Sequence, residues 1–536
     1  MKRANVYLKN FGSDFPASVV VFLVALPLCL GVALASNAPL FSGIIAGIIG
    51  GIVIGLLSGS QLSVSGPAAG LTAIVAATVL ELPAFNVFLL SVIICGALQI
   101  ALGFIKAGVI GDYIPNCVIK GMLAAIGLIL ILKQIPHLVG YDANFVGDES
   151  FKQSNNENTF SGIIHAFNYI TPVAVLISVI GLLLQIFWEK FTAEKKGFIK
   201  LIPAPLLVVL SGIIINEFFR HNGSAHAIDP KHMVTIPVAK SADEFFSFFT
   251  FPDFDSFLNK NVWITGITLA LVASLETLLS IEAVDDLDPY QRVTNKEREL
   301  KAQGIGNMIS GLVGGLPITS VIVRSSANVN AGAKTKMSAV CHGILLLICV
   351  ALIPELLNRT PKAVLAAILI YTGYKLAKPS LFKSYYKKGW DQFLPFVITI
   401  TAILLSDLLI GILIGIGVGI FFVVRSNFKT SVFVVHDENK YLFRLRKDVS
   451  FLNKPALKNK LEQVPEDAFV LIDATRADFI DKDVVEVIDD FMKHASLKNI
   501  RVELKRSYYK EQGFDKQNLM ITDTMSNNKH KKMMEA

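Results

Sequence analysis

Charged side chains are scarce here: they make up 17% of the 536 residues, against 53% hydrophobic ones, and the mean hydropathy is +0.55. That scarcity excludes an ordinary soluble globular protein and leaves the polytopic membrane class. Cysteine is sparse as well. Cys29, Cys95, Cys117, Cys341 and Cys349 all fall in apolar runs, with no CxxC and no accompanying His. They read as small buried hydrophobes, which excludes a disulfide framework and a metal site. The basic start MKRANVYLKN lacks a small-residue cleavage pattern before its apolar run, so residues 1–14 are expected to be a cytoplasmic segment and not a removable signal. A net charge of +7 does not call for nucleic acid, because in membrane proteins Lys and Arg collect in loops.

Long hydrophobic runs are what the sequence has instead. Seven fall at about 17–35, 40–57, 68–80, 87–104, 118–132, 171–187 and 201–215. After a polar stretch, seven more follow at about 263–284, 305–316, 321–331, 339–353, 364–376, 393–405 and 408–424. The expected architecture is therefore an all-α polytopic membrane protein of 14 transmembrane segments in two repeats, about 15–216 and 261–425. The loops at 189–200, 285–301 and 375–388 are rich in Lys and Arg, whereas 136–169 carries Lys152 against four carboxylates. With basic loops inside, both termini are expected to be cytoplasmic, and the membrane is expected to be the cytoplasmic (inner) one.

The third segment of each repeat is short and follows an extended stretch marked by Gly and Pro: GSQLSVSGPAAGLTAIVAA (59–77) and GGLPITSVIVRSSANV (314–329). Both read as strand, break and half-helix. Gly and Pro also serve helix packing, but their occurrence in matching places of two repeats marks a site. Non-helical backbone at membrane depth is tolerated only where protein or a hydrated cavity satisfies it, so the two breaks are expected to face each other. Their half-helix N-termini would then favour an anion. Two charges lie near these breaks. Glu276 sits 13 residues past Trp263, about 20 Å along a helix, and must face a cavity, pair, or take a proton. Arg324, one turn into the second half-helix, is the candidate cationic contact for an anion, or a structural partner of Glu276.

The stretches SVSGPAAGLTAIVAA and LETLLSIEAVDDL, followed by TNKERELKAQGIGNMISGLVGGLPITSVIVRSSANVNAGAKT, closely resemble the signatures of the sulfate permease (SulP) family of inorganic-anion transporters. The resemblance covers about residues 15–425. It implies a 7+7 inverted repeat, a core domain moving against a gate domain, a homodimer, no cofactor, and an anion between the third and tenth segments. Carried over by position, the substrate site is Ser65, Gly66, Pro67 and Ala68 with Ser320, Val321, Ile322, Val323 and Arg324; ion coupling falls to Glu276 and Ser280. VALPLCLGVALAS (24–36) looks like the branch containing sodium-dependent bicarbonate transporters. That branch has Asp where Glu276 stands and Thr where Ile322 stands, so the resemblance favours co-transport of H+ or anion exchange. A sodium-dependent bicarbonate symporter or an uncoupled channel is the alternative.

Past residue 425 the composition turns soluble. Strand-like runs at 431–435, 441–446, 469–474 and 499–504 alternate with helical patterns near 455–463 and 483–494, which predicts a small α/β domain. FVLIDATRADFID resembles the central strand and turn of a STAS domain, so residues 430–507 are expected to form a cytoplasmic STAS-like module, with 508–536 a disordered tail. Asp481 is followed by Lys482 and not by Ser or Thr, which speaks against a phosphoswitch. This soluble part has no cysteine, which argues against a fused zinc enzyme.

Overall fold

The computed structural model describes residues 2–143, 151, 158–193, 199, 202–221, 228–239, 241–406, 408–429, 432–507 and 521–524. It divides into two units, residues 1–418 and 419–536.

Each expected apolar run coincides with a helix. They are α1 (Lys2–Ala35), α2 (Leu40–Leu57), α3 (Ala69–Glu81), α4 (Phe85–Phe104), α5 (Asn116–Leu138), α6 (Pro172–Ala193) and α7 (Ala204–His221). The second series is α8 (Lys260–Leu287), α9 (Lys296–Val313), α10 (Ile322–Asn330), α11 (Met337–Leu352), α12 (Lys362–Leu376), α13 (Trp390–Leu405) and α14 (Leu408–Lys429). Among the described residues, seven of these are both long and apolar enough to cross a membrane, α8 being the last in sequence. Helix α1 already begins at Lys2, so the expected N-terminal segment is its first turns. Helix α9 starts nine residues before its apolar run, because Asn295 caps it by accepting from the Arg298 N–H and acidic residues occupy its first turn.

Small residues decide which helices lie together. A Cβ on Gly304 of α9 would stand 2.5 Å from the Gly96 carbonyl oxygen of α4, and one on Gly127 of α5 would stand 2.6 Å from the Gly373 oxygen of α12. Helices α1 to α4 and α8 to α11 form one bundle in this way, and α5 to α7 with α12 and α13 form a second, which α14 joins through Gly415, where a Cβ would stand 2.2 Å from Thr399 Oγ1 of α13. Each repeat thus gives its first four helices to one bundle and its last three to the other, the same partition twice.

Short strands precede the two half-helices, β1 (Ser65–Pro67) before α3 and β2 (Ile318–Ser320) before α10. They pair antiparallel in the register Ser65↔Ser320, Gly66↔Thr319 and Pro67↔Ile318. Gly314 ends α9 at φ +91°, a left-handed conformation that favours glycine, and Pro317 keeps the helix from resuming before β2.

The second unit holds a sheet in the order β3 (Val432–Asp437), β4 (Lys440–Val449), β5 (Phe469–Ile480), β6 (Arg501–Ser507), β7 (Ile521–Thr524), antiparallel between β3 and β4 and parallel beyond. Phe443, Val470, Ile472 and Leu504 of the sheet and Val484 and Ile488 of its helix Lys482–Ala495 make a separate core. Strand β7 falls inside the stretch expected to be a tail, so the sheet extends beyond residue 507; the rest of 508–536 lies outside the described residues. Asp481 caps the Lys482–Ala495 helix, accepting from the Asp483 N–H at 3.0 Å.

Beyond the end of α5, the Asp142 carboxylate is almost fully buried and accepts hydrogen bonds from His137 and, at 2.6 Å, from His232 Nδ1. Burial alone would raise its pKa; the two histidine hydrogen bonds and the charges of His137 and Lys362 outweigh that and hold it at about 2. A carboxyl depressed in the folded state stabilises above its unfolded pKa and loses that stabilisation as pH falls through the folded one. Asp142→Asn should therefore unfold at lower temperature than the parent at neutral pH, by the equivalent of about 2 kcal/mol. In melts followed in detergent the gap should close between about pH 4 and pH 2; an unchanging gap over that window would contradict this account.

Candidate anion site at the crossing of two half-helices

Backbone at the crossing has few partners of its own, and side chains from α9 supply them. Glu299, Gln303, Asn307 and Ser310 are all fully buried and lie on one face of that helix. Asn307 holds β2 twice: its Oδ1 accepts from the Ile318 N–H at 2.6 Å and its Nδ2 donates to the Ile318 carbonyl at 2.9 Å. The same amide donates to Gln99 Oε1 at 2.7 Å. Gln303 Nε2 holds β1 through Ser65 Oγ at 2.7 Å and donates to Glu299 Oε1 at 3.0 Å. Glu299 Oε2 in turn accepts from Ser58 Oγ and from the Gly59 N–H at 2.9 Å, at the end of α2. Ser310 Oγ donates to the Leu316 carbonyl at 2.7 Å.

Further bonds join the repeats directly. Ser63 and Ser320 share a hydroxyl hydrogen bond at 2.6 Å, Ser325 Oγ accepts from the Val64 N–H at 2.9 Å, and Asn328 Nδ2 donates to the Leu62 carbonyl at 2.9 Å. The Val321 N–H donates to the Val64 carbonyl at 3.0 Å, and Thr277 Oγ1 on α8 accepts from the Ser320 N–H at 3.3 Å. Among the described residues no side chain caps the first turn of α3 or of α10. The leading N–H groups of a helix have no intrahelical acceptor, so both half-helices present donors and the positive ends of their dipoles at the crossing.

The sequence-predicted residues are brought together here, with different exposures. Ser65, Gly66, Pro67, Ala68, Ser320, Ile322 and Val323 are buried, whereas Val321 and Glu276 are half-buried, as are Ala69 and Gly70. A Cβ on Gly70 would stand 3.2 Å from each carboxylate oxygen of Glu276, which puts that carboxylate against the first turn of α3. Ser280 lies one helical turn further along α8 and is buried. Arg324 does not reach the open side. It is 1% exposed, its Nη2 lies 3.4 Å from Cys29 Sγ on α1, and Nε and Nη1 have no hydrogen-bond partner among the described residues. Its guanidinium lies directly behind β1, where a Cβ on Gly66 would come within 1.9 Å of Nη1. Its charge therefore acts across the strand.

The α9 residues had a sequence signal, since Glu299, Gln303, Asn307 and Ser310 recur at spacings of four, four and three, as one helical face requires; Gln99 is a lone amide in the apolar run 87–104. Asn307→Leu keeps the branched side-chain skeleton but removes both amide hydrogen bonds to Ile318 and should cost about 1–3 kcal/mol. Gly66→Ala should cost a similar amount, about 1–3 kcal/mol, by forcing the guanidinium away from the strand. Thermal unfolding of the purified variants measures both; parental melting of either would contradict the packing described.

Residues 11–401 match the model of the sulfate permease family. The chain is 28% identical to the candidate sulfate transporter YvdB of Bacillus subtilis over 427 residues, 78% of this chain and 74% of that one. It is 23% identical to the bicarbonate transporter BicA of Picosynechococcus over 429 residues, covering 78% of this chain and 70% of that one. Among solved structures it resembles murine Solute Carrier 26 family member A9, an anion transporter, with a TM-score of 0.63 at 15% identity over 92% of this chain and 85% of that one. With a family model matching well over half its length, this multi-pass membrane protein belongs to the sulfate permease family of transporters.

Proposed function

We propose that the chain is a secondary active transporter of a small inorganic anion, sulfate or bicarbonate, working by alternating access. The supporting observation is the crossing itself: two uncapped half-helix starts meet at β1 and β2, with a guanidinium behind one strand and a carboxylate beside one turn. Donors fixed in place with little water around them favour negative charge without any cation touching it. The anion would lie against Ala68 to Gly70 and Val321 to Val323, with Arg324 setting the potential and Glu276 carrying the coupling proton. In anion exchange Glu276 would serve only to tune the site.

The bundle of α1 to α4 and α8 to α11 would be the moving body and the other bundle the gate. Basic loops would face the cytoplasm, in the inner membrane, and the second unit would be the STAS-like module of a homodimer. Similarity to BicA favours bicarbonate as one candidate substrate, with sodium coupling through Glu276 and Ser280 as the second reading.

In proteoliposomes Arg324→Ala should reduce anion uptake to background, and uptake at the parental rate would sink the site assignment. Glu276→Gln should still bind the anion while losing the pH dependence of uptake. A pH profile that survives the change would remove proton coupling through this residue.

A further inference from the structure

The connection from α12 to α13 contains a short helix, Pro379–Lys387, followed by Gly389 at φ +98°, a left-handed conformation that turns the chain into α13. One stripe of this helix packs inward. Phe382 meets Phe396 of α13 edge-on at 5.4 Å between ring centres, and Tyr385 stacks on the same ring at 4.6 Å. The Tyr385 hydroxyl donates to the Asn116 carbonyl, at the start of α5, at 3.4 Å. These contacts hold the short helix against the ends of two apolar helices, and so at the level where those helices leave the membrane.

Its outward side carries charge that the protein does not neutralise. Lys378, Lys383, Lys387 and Lys388 are exposed, and none of them forms an ion pair among the described residues. Lys388 Nζ stands 4.4 Å from the Tyr385 ring centre, a contact that leaves its charge uncancelled. Asp391 is the one carboxylate in residues 378–391, and Asp286, whose charge reaches Tyr385, is taken up by Lys120 at 3.2 Å. Two aromatic side chains lie among the lysines. Tyr386 and Trp390, 62% and 66% exposed, gather on Phe393 with ring centres at 5.3 and 5.9 Å. Tyrosine and tryptophan rings at the end of a membrane-crossing helix sit at headgroup level, half in apolar and half in wet surroundings. Lysines at that same level meet phosphate, and a basic stretch beside a span is drawn to anionic lipid. An acidic soluble partner would account for the lysines alone and would leave the indole and the phenol without a role.

We propose that the helix Pro379–Lys387, with Lys378, Lys388 and Trp390, is a binding surface for anionic phospholipid. The lysines lie on the headgroup phosphates, and Tyr386 and Trp390 seat between headgroups and acyl chains. This surface is separate from the crossing of β1 and β2 and holds whichever anion is moved. On the transport reading it would keep the second bundle level in the leaflet while the first moves against it.

Trp390 is one of three tryptophans, so the full chain with Trp188→Phe and Trp263→Phe reports from it alone. In phosphatidylcholine nanodiscs, brominated phosphatidylglycerol should quench Trp390 about twofold more than the same fraction of brominated phosphatidylcholine. The excess should vanish in the triple variant Lys383→Gln, Lys387→Gln, Lys388→Gln, persist when the same three become Arg, and fade in about 1 M salt. Should the tryptophan replacements unfold the chain, melting of the otherwise unaltered chain in detergent doped with either lipid gives the same answer: phosphatidylglycerol should raise its melting temperature above phosphatidylcholine, and the triple Gln variant should show no difference. Equal quenching or equal melting with the two lipids would overturn the proposal, as would a preference that survives the triple Gln change. Trp390 quenched by neither lipid would place this helix clear of the bilayer and overturn it as well.

Discussion

Everything at the centre of the transport unit depends on satisfying irregular backbone where water is scarce. Strands β1 and β2 interrupt two helical repeats, and each interruption exposes N–H and C=O groups that would cost several kcal/mol apiece in hydrocarbon. Three residues of antiparallel pairing meet part of that demand. The rest is met by side chains, chiefly Asn307 on Ile318 and Gln303 on Ser65, with Ser63, Ser325 and Asn328 closing the crossing from the two repeats themselves. Helix α9 is consequently more polar than a transmembrane helix ordinarily is, and it can be so because its polar face looks inward.

That arrangement also explains how an arginine is held so deep. A guanidinium in hydrocarbon is expensive, and among the described residues Arg324 makes no carboxylate contact that would cancel its charge; its neighbours include a thiol and the open face of Gly66. The positive potential is therefore left to act through a single thin strand, on the side where the half-helix starts converge. Glu276, against Gly70, lies at the more open edge of the same crossing. On the proposed reading, fixed dipoles, one screened cation and one carboxylate would make a centre that responds to negative charge more than to shape.

Much of this is legible in the sequence. Hydropathy locates the helices α1 to α14, apart from the polar start of α9, because long apolar runs have few other fates; it gives no sign of the short helices Thr159–Ala166, Ala242–Ser247 and Pro379–Lys387 between them. The two Gly and Pro interruptions show where the helices break, since both residues disfavour helix continuation. The 299, 303, 307, 310 spacing is visible too, although the spacing does not say which backbone those side chains hold. What the sequence conceals is direction. Arg324 turns toward α1 because Gly47, Gly66 and Cys29, from three separate places in the chain, leave it room there. Likewise strand β7 lies in a polar stretch with no apolar alternation to announce it, and is fixed by pairing with β6.

The account stands or falls on whether anions are moved against a gradient by the intact chain. Purified protein in proteoliposomes, given labelled sulfate or bicarbonate with either a proton or a sodium gradient imposed, measures this directly. The account predicts accumulation of at least one of the two anions above equilibrium, driven by protons or by exchange for internal anion. Movement that only dissipates the anion's own gradient, whatever ion gradient is imposed, would contradict it.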